Sequence, residues 1–209
     1  MIKVISFDLD GTLADENFDK LIWNEEIPRL YAEKYGLSLA DAKEKVFAEY
    51  KKEEGNIRWT DIEFWFGKFG LEDWDGLLKS LKKDIKLFPE TIKVLRDLGK
   101  IFRLIIITQS EKKFMKLKLE TENLESYFSE IFSTVHHFNS REKSEDVYSD
   151  ITKKLEVRPE EIAHIGNHWQ FDFVVPRKLG INAYYLDREN NKQGEFIVHD
   201  LMEFRDKLK

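Results

Sequence analysis

The stretch IKVISFDLDGT, residues 2–12, decides the fold of this chain. It begins as a mainly apolar run from Ile2 to Phe7 and ends in a polar turn at Gly11. A short apolar run that ends at a glycine predicts a buried β-strand. Asp8 and Asp10 stand where this strand ends. Two buried carboxylates this close repel each other unless a cation or a proton relieves them, so the pair marks a candidate functional site.

Later apolar runs resemble the first one and alternate with helical stretches. The predicted strands are Ile101–Ile107, Ile131–Val135, Ile162–Ile165 and Ala183–Leu186. The predicted helices are the segment between Pro89 and Gly99, Ser144–Leu155, Trp169–Leu179, and a last helix that Asp200 caps. Buried strands that alternate with helices predict a parallel sheet covered on both faces. Ligands of such sheets bind at the carboxyl ends of the strands.

Residues 15–87 break this alternation, because their apolar residues follow helical spacing and show no strand pattern. Aromatic residues such as Trp23, Trp59 and Trp65 are concentrated there. An aromatic stripe is typical of the core of a small helical bundle, and a lid that closes over a site is the functional alternative. We therefore predict an α/β core of residues 1–14 and 88–209, with residues 15–87 inserted as a helical unit.

Composition excludes several classes of protein. The 209 residues include 34 Lys and Arg, 40 Asp and Glu and no cysteine, for a net charge of −6. A chain without cysteine has no disulfide scaffold, thiolate metal site or cysteine nucleophile. Net acidity argues against a nucleic-acid partner. No apolar run approaches the roughly 20 residues of a membrane span, and Asp8 and Asp10 interrupt the N-terminal run, so we expect a cytoplasmic protein without a signal peptide. We expect it to be a monomer or a homodimer.

Residues 8–12 read Asp-Leu-Asp-Gly-Thr. This pattern resembles the first motif of the haloacid dehalogenase-like (HAD) hydrolase superfamily, Asp-x-Asp-Gly-Thr after strand one. The resemblance implies a Rossmann-like three-layer core with a helical cap inserted between motifs one and two. It also implies a nucleophilic carboxylate at Asp8 and a general acid and base at Asp10. An acid at Asp10 favours phosphate esters over carbon–halogen bonds, because dehalogenases of the superfamily lack an acid there.

Two further positions match later motifs of the superfamily. Thr108 follows a buried strand like the Thr or Ser of motif two, although Gln109 stands where the family usually has Asn. The resemblance implies that both residues bind the substrate phosphoryl group. Motif three is a lysine that opens a later helix, and Lys143 is the candidate, with Arg141 competing for the role. Its charge would neutralise Asp8 and the transferring phosphoryl group.

The segment 166–172, Gly-Asn-His-Trp-Gln-Phe-Asp, resembles motif four, Gly-Asp-x-x-x-x-Asp. The second acid is present as Asp172, whereas the first is replaced by Asn167. The resemblance implies a Mg²⁺ site made by Asp8, the backbone carbonyl of Asp10, Asn167 and Asp172. An Asn oxygen can bind Mg²⁺ but brings one negative charge fewer than Asp, so we expect weakened metal affinity.

Together these motifs predict a Mg²⁺-dependent phosphatase of small phosphorylated metabolites, such as phosphoglycolate, triose phosphates or sugar phosphates. A 2-haloacid dehalogenase is the first alternative, because Asn167 resembles the metal-free site of that branch. A catalytically degenerate binding protein is the second alternative. It is motivated by Asn167 and by Ser144, which replaces the proline that typically follows the motif-three lysine.

Overall fold

The computed structural model describes residues 1–208, including every side chain in that range except that of Glu122. The chain divides into two compact units. One unit comprises residues 16–86, and the other comprises residues 1–15 with the described residues from 87 onward. We call them the helical unit and the sheet unit.

All strands of the sheet belong to the sheet unit. They are β1 (Val4–Phe7), β2 (Arg103–Thr108), β3 (Glu130–Ser133), β4 (Ile162–Gly166), β5 (Asn182–Leu186) and β6 (Ile197–Val198). The α-helices of the helical unit are α1 (Asn17–Leu21), α2 (Ile27–Tyr35), α3 (Leu39–Lys52), α4 (Ile62–Phe69) and α5 (Trp74–Ser80). Those of the sheet unit are α6 (Thr91–Leu98), α7 (Lys112–Glu120), α8 (Thr134–Phe138), α9 (Glu145–Leu155), α10 (Val175–Lys178) and α11 (Leu201–Lys207). Short 3₁₀-helices are Ile57–Thr60, Lys82–Asp84, Thr121–Tyr127 and Pro159–Glu161, and π-helices are Ile22–Glu26 and Trp169–Val174.

The six strands form one parallel sheet in the order β3-β2-β1-β4-β5-β6. Strand β1 lies in its interior and is fully buried. Phe7, its last residue, is in register with Ile106 of β2 and Ile165 of β4. The polar residues that follow these three strands are therefore brought to one edge of the sheet, which is the ligand-binding edge of a parallel α/β fold.

Both faces of the sheet are covered, as the two-sided apolar strands predicted. In β2, Leu104 and Ile106 pack into a core that includes residues of α6, α7 and α11. The alternate residues Ile105 and Ile107 pack into a second core with residues of α9 and α10. Since successive side chains of a strand point to opposite faces, the sheet lies between two helical layers. The predicted Rossmann-like three-layer fold is confirmed.

Some predicted element bounds were wrong. Ile101 lies outside β2 and is 73% exposed, because its N–H still bonds to the carbonyl of Leu98 in the turn that ends α6. Val135 belongs to α8 and not to β3, because the Ser133 hydroxyl accepts a hydrogen bond from His136 N and starts a helix there. The predicted helix Trp169–Leu179 begins as a π-helix. The sequence analysis did not predict α7 or the two-residue strand β6.

The helical unit, residues 16–86, contains only helices and turns and confirms the helical character predicted for this segment. Ser38 and Asp61 cap the N-termini of α3 and α4 with their side chains. Trp65 is fully buried at the centre of an aromatic cluster, 4.6 Å from the Tyr50 ring, and donates from its indole nitrogen to the Trp59 carbonyl. Within residues 1–208, no helix has the length and apolarity that crossing a membrane requires.

Substituting Asp200 tests the capping of α11, whose Leu201 and Phe204 pack into the first core. Asp200 Oδ1 accepts a hydrogen bond from Glu203 N at 2.8 Å. We expect Asp200→Ala to lower the free energy of unfolding by about 1 kcal/mol in urea denaturation. Asp200→Asn, which keeps a capping oxygen, should stay close to the wild type. Equal stability of the two variants would contradict this role.

Candidate active site

The candidate site lies at the carboxyl edge of the sheet, where β1, β4 and β2 end side by side. Asp8 follows β1, and its N–H bonds to the Ile165 carbonyl at 2.9 Å, which continues the ladder between β1 and β4. Asn167 follows β4, and Thr108 is the last residue of β2. Three segments distant in the sequence therefore deliver polar side chains to one place, as predicted for a parallel sheet.

Lys143 joins two of these segments through its ammonium group. The Nζ atom lies 2.5 Å from Asp8 Oδ1 and 2.5 Å from Asp172 Oδ1. Its side chain is 1% exposed, and those of Asp8 and Asp172 are 9% and 1% exposed. A buried charge is tolerated only when it is paired and hydrogen-bonded, so the lysine and the two carboxylates depend on one another.

The pKa values of the two carboxylates are shifted in opposite directions. Burial raises the pKa of Asp8 to about 7 against the attraction of Lys143, and the charges of Asp172 and Asp10 raise it further. Burial also opposes the ionisation of Asp172, but Lys143 and a hydrogen bond from His164 hold its pKa below the usual range. Asp172 also accepts from His168 N at 2.9 Å. Asp172 is therefore the permanent counter-charge of Lys143, and Asp8 is the carboxylate whose charge is more easily changed.

Two glycines permit the close approach of the loops. Gly11 has a φ of +76°, and a Cβ there would overlap the side-chain amide of Asn167. A Cβ at Gly166 would overlap the carboxylate of Asp172. The positive φ at Gly11 is a conformation that glycine adopts without strain. The glycine of motif one is thus required both by the turn and by the side chain of motif four.

The Asn167 amide contacts the groups that would bind a metal. Its nitrogen faces Asp8 Oδ2 at 3.3 Å and the Asp10 carbonyl oxygen at 3.0 Å, both of which are hydrogen-bond acceptors. Neighbouring ligands of an octahedral Mg²⁺ lie about 2.9 Å apart. Rotating the amide to present Oδ1 would therefore place an oxygen at distances from these two acceptors that are close to the spacing of Mg²⁺ ligands. Within residues 1–208 no three His, Asp or Glu side chains form a group that could hold a metal ion.

Asp10 has a cationic partner that the sequence analysis did not identify. Its Oδ1 forms an ion pair with Nζ of Lys118 on α7. The Lys118 side chain is fully buried, whereas that of Asp10 is 27% exposed. Asp10 is thus more exposed than Asp8, although one of its carboxylate oxygens is paired with a buried lysine.

Thr108, Gln109 and Lys143, the residues predicted for motifs two and three, make different contacts in the structure. The Thr108 hydroxyl oxygen accepts a hydrogen bond from Ser110 N at 3.1 Å and keeps its own proton to donate. The Gln109 amide donates to the carbonyl of Arg141, which ties the end of β2 to the loop before Lys143. Lys143 is the residue that reaches Asp8, and Arg141 contributes this carbonyl.

A sequence model of haloacid dehalogenase-like hydrolases matches residues 2–173 of this chain. This chain belongs to that family. It is 23% identical over 169 residues to the GMP/IMP nucleotidase YrfG of Escherichia coli, covering 79% of this chain and 74% of the relative.

Solved structures of the family have the same fold as this HAD hydrolase. A HAD phosphatase from Thermococcus onnurineus matches with a TM-score of 0.84 and 25% identity, over 99% of this chain and 98% of that one. The structure of the HAD-hydrolase YfnB from Bacillus subtilis bound to magnesium matches with a TM-score of 0.69 and 17% identity. That match covers 100% of this chain and 99% of YfnB.

The HAD site rests on a buried polar network that the sequence analysis did not predict. His164 of β4 lies with Nε2 3.2 Å from Asp172 Oδ1 and 3.1 Å from the Tyr148 hydroxyl, and Nδ1 lies 2.9 Å from the Ser6 hydroxyl. Burial lowers the pKa of His164 against the pull of Asp172, so the imidazole is neutral. The Tyr148 hydroxyl donates to the Phe171 carbonyl, so the His164 proton sits on Nε2. The sequence signal that could have indicated this network is a histidine, His164, within an apolar strand.

Arg188, just after β5, is another residue that sequence reasoning missed. It donates to the carbonyls of Gly11 at 3.3 Å and Thr12 at 2.8 Å, and to Glu90 Oε1 at 2.8 Å. Its guanidinium also lies 3.4 Å from the centre of the Phe88 ring. Arg188 thus holds the motif-one loop by its backbone, a role for which the sequence carries no signal.

Substituting Lys143 tests its pairing with the two carboxylates. Lys143→Met leaves Asp8 and Asp172 buried without their cation, and we expect it to lower the free energy of unfolding by about 3–5 kcal/mol near neutral pH. The difference in the free energy of unfolding between the variant and the wild type should shrink as the pH falls towards about 5. Without the cation the folded-state pKa values rise above the unfolded ones, so the folded protein takes up protons first and is stabilised by acid.

Urea denaturation at several pH values measures this effect. Lys153→Met on α9 is the matched control, because its ion pair with Asp150 is exposed and should contribute less than about 1 kcal/mol. A Lys143→Met variant that matches this control, or whose deficit is the same at every pH, would contradict the assignment.

Proposed function

We propose that this HAD hydrolase is a Mg²⁺-dependent phosphatase of small phosphorylated metabolites that works through an aspartyl-phosphate at Asp8. The observation that carries the proposal is the pair of aspartates in two different settings. Asp8 is buried and held by Lys143, whereas Asp10 is part-exposed and held by Lys118. Two carboxylates with different surroundings can serve as a nucleophile and as a general acid and base.

In the first step an Asp8 carboxylate oxygen bonds to phosphorus, and the bond from phosphorus to the leaving-group oxygen breaks. The proton of Asp10 passes to that oxygen, so the leaving group departs as a neutral alcohol. We assign to Lys143 and the Thr108 hydroxyl the role of stabilising the charge on the phosphoryl oxygens. The product of this step is a phosphorylated Asp8 and an ionised Asp10.

In the second step Asp10 takes a proton from water, whose oxygen bonds to phosphorus. The bond between phosphorus and the Asp8 oxygen then breaks and releases inorganic phosphate, which restores both side chains. Asp10 thus returns to its protonated form, and the two steps together consume only the phosphate ester and one water.

The residues that would hold Mg²⁺ are Asp8, the Asp10 carbonyl and the Asn167 amide oxygen. A bound Mg²⁺ supplies positive charge that neutralises the phosphoryl oxygens. Asp172 accepts hydrogen bonds on both of its oxygens, from Lys143 and His164 on one and from His168 N on the other. The sequence analysis expected Asp172 in this ligand set, but because both of its oxygens already accept hydrogen bonds, we assign it instead the role of orienting Lys143 and the motif-four segment. For the helical unit, residues 16–86, we propose the role of the family's cap.

Turnover of p-nitrophenyl phosphate with Mg²⁺ tests the proposal. We expect Asp8→Asn to lower kcat by at least about 10³-fold, because the amide cannot act as the nucleophile. Asp150→Asn, at an exposed position on α9, is the matched control and should keep full activity. A panel of phosphoglycolate, triose phosphates, sugar phosphates, GMP and IMP then identifies the substrate class. Wild-type turnover no faster than that of Asp8→Asn would refute the proposal.

Metal affinity tests the role of Asn167. We expect Asn167→Asp to tighten Mg²⁺ binding about tenfold or more, since it adds an anionic oxygen to the ligand set. Isothermal titration calorimetry measures this affinity without reference to activity, and Asn190→Asp in an exposed loop is the control. An unchanged Mg²⁺ affinity would remove Asn167 from the ligand set. Absence of Mg²⁺ binding and of turnover in the wild type would instead support a catalytically degenerate binding protein.

One observation favours a dehalogenase as the second candidate. The Asn167 nitrogen can donate a hydrogen bond to Asp8, so the nucleophile has a neutral partner that does not require a metal. Asp10 argues for the phosphatase, because displacement of a halide needs no protonated leaving group. Chloride release from 2-chloropropionate without added metal would support the dehalogenase.

A further inference from the structure

Lys118 is the buried titratable residue that the proposed reaction does not use directly. It lies on α7 among the buried residues Phe114, Met115 and Leu119, and its side chain is fully buried. Its ammonium group nevertheless reaches Asp10 Oδ1 at the candidate site. A lysine that is buried among apolar residues of α7 thus places its charge beside the proposed general acid, Asp10.

This ion pair is not explained by stability. Burying an ammonium group costs several kcal/mol, and replacing a buried ion pair with apolar side chains of similar volume is often neutral or stabilising. Asp10 is 27% exposed, so water could solvate its carboxylate if the lysine were absent.

The contacts of Asp10 show what the lysine does. Its carbonyl oxygen lies 3.0 Å from the Asn167 amide, and its Oδ1 is held by Lys118. Among the described residues, none donates a hydrogen bond to the other carboxylate oxygen, Oδ2. With the backbone carbonyl and Oδ1 contacted in this way, Oδ2 is the carboxylate oxygen left to meet a substrate.

We propose that Lys118 is a positioning residue for Asp10, which it holds so that Oδ2 transfers the proton to the leaving-group oxygen. The inference rests on the proposed phosphatase function. In the first step the proton of Asp10 goes to the leaving oxygen as the bond to phosphorus breaks, and Lys118 keeps its own protons throughout. Proton transfer requires hydrogen-bond reach, so a misplaced Asp10 slows the reaction in proportion to how much the leaving group needs that proton.

The dependence on the leaving group separates this role from a merely structural one. p-Nitrophenolate leaves readily as an anion, whereas an alkoxide must be protonated as it departs. Loss of the positioning contact should therefore slow hydrolysis of an alkyl phosphate much more than hydrolysis of p-nitrophenyl phosphate. A general loss of packing would slow both substrates alike.

The test is the ratio of kcat for an alkyl phosphate to kcat for p-nitrophenyl phosphate, with phosphoglycolate as the first alkyl probe. We expect Lys118→Met to lower this ratio about tenfold or more while the protein stays folded. Asp10→Asn should lower the ratio as well, and the double variant should be little worse than Asp10→Asn alone, since both changes remove one function. Lys116→Met, at an exposed position of the same helix, should leave the ratio unchanged.

Lys118→Gln, which keeps an N–H donor, should retain more of the ratio than Lys118→Met. An unchanged ratio in a folded Lys118→Met protein overturns the inference but leaves the phosphatase assignment intact. If neither variant folds, Lys118 is a structural residue and the inference is also overturned. If the wild type hydrolyses neither ester, both proposals fail, and this is seen before any Lys118 variant is made.

Discussion

The ammonium group of Lys143, buried between Asp8 and Asp172, is the contact on which the rest of the site depends. Asp8 follows β1 and Asp172 lies in the π-helix after β4, so one cation joins the segments that follow two paired strands. Burying either carboxylate at this edge without it would be strongly destabilising, because the buried charge would be unpaired. Asp172 is fixed in turn by His164 and His168, so the proposed nucleophile is oriented through a chain of buried polar groups that starts at Ser6 of β1.

The charges of the site are divided into two separate sets. Lys143 serves Asp8 and Asp172, and Lys118 serves Asp10. Asn167 lies between the two sets, beside Asp8 and the carbonyl of Asp10. Its amide can donate to these oxygens or present its own oxygen, which makes it compatible with the site both with and without a metal.

The strand pattern predicted the parallel sheet and five of its six strands, and motif spacing predicted which polar residues follow those strands. These features follow from rules that act over short stretches, such as the buried run that ends at Phe7 and the turn at Gly11. Lys118, His164 and Arg188 were not predicted, because their roles depend on partners more than 100 residues away. The apolar stripe of α7 with a lysine in it and the histidine inside β4 were visible in the sequence. What they contact was not, since it is set by how the helices pack on the sheet.

The most direct test of this account is to trap the intermediate on the enzyme. The wild type is mixed with a phosphate ester that it turns over, quenched in acid, reduced with borohydride and digested for mass spectrometry. An aspartyl-phosphate at Asp8 is reduced to homoserine, and the account predicts this change at Asp8 and at no other aspartate. Conversion at a different residue, or turnover without any modified aspartate, would contradict the central claim that Asp8 is the nucleophile.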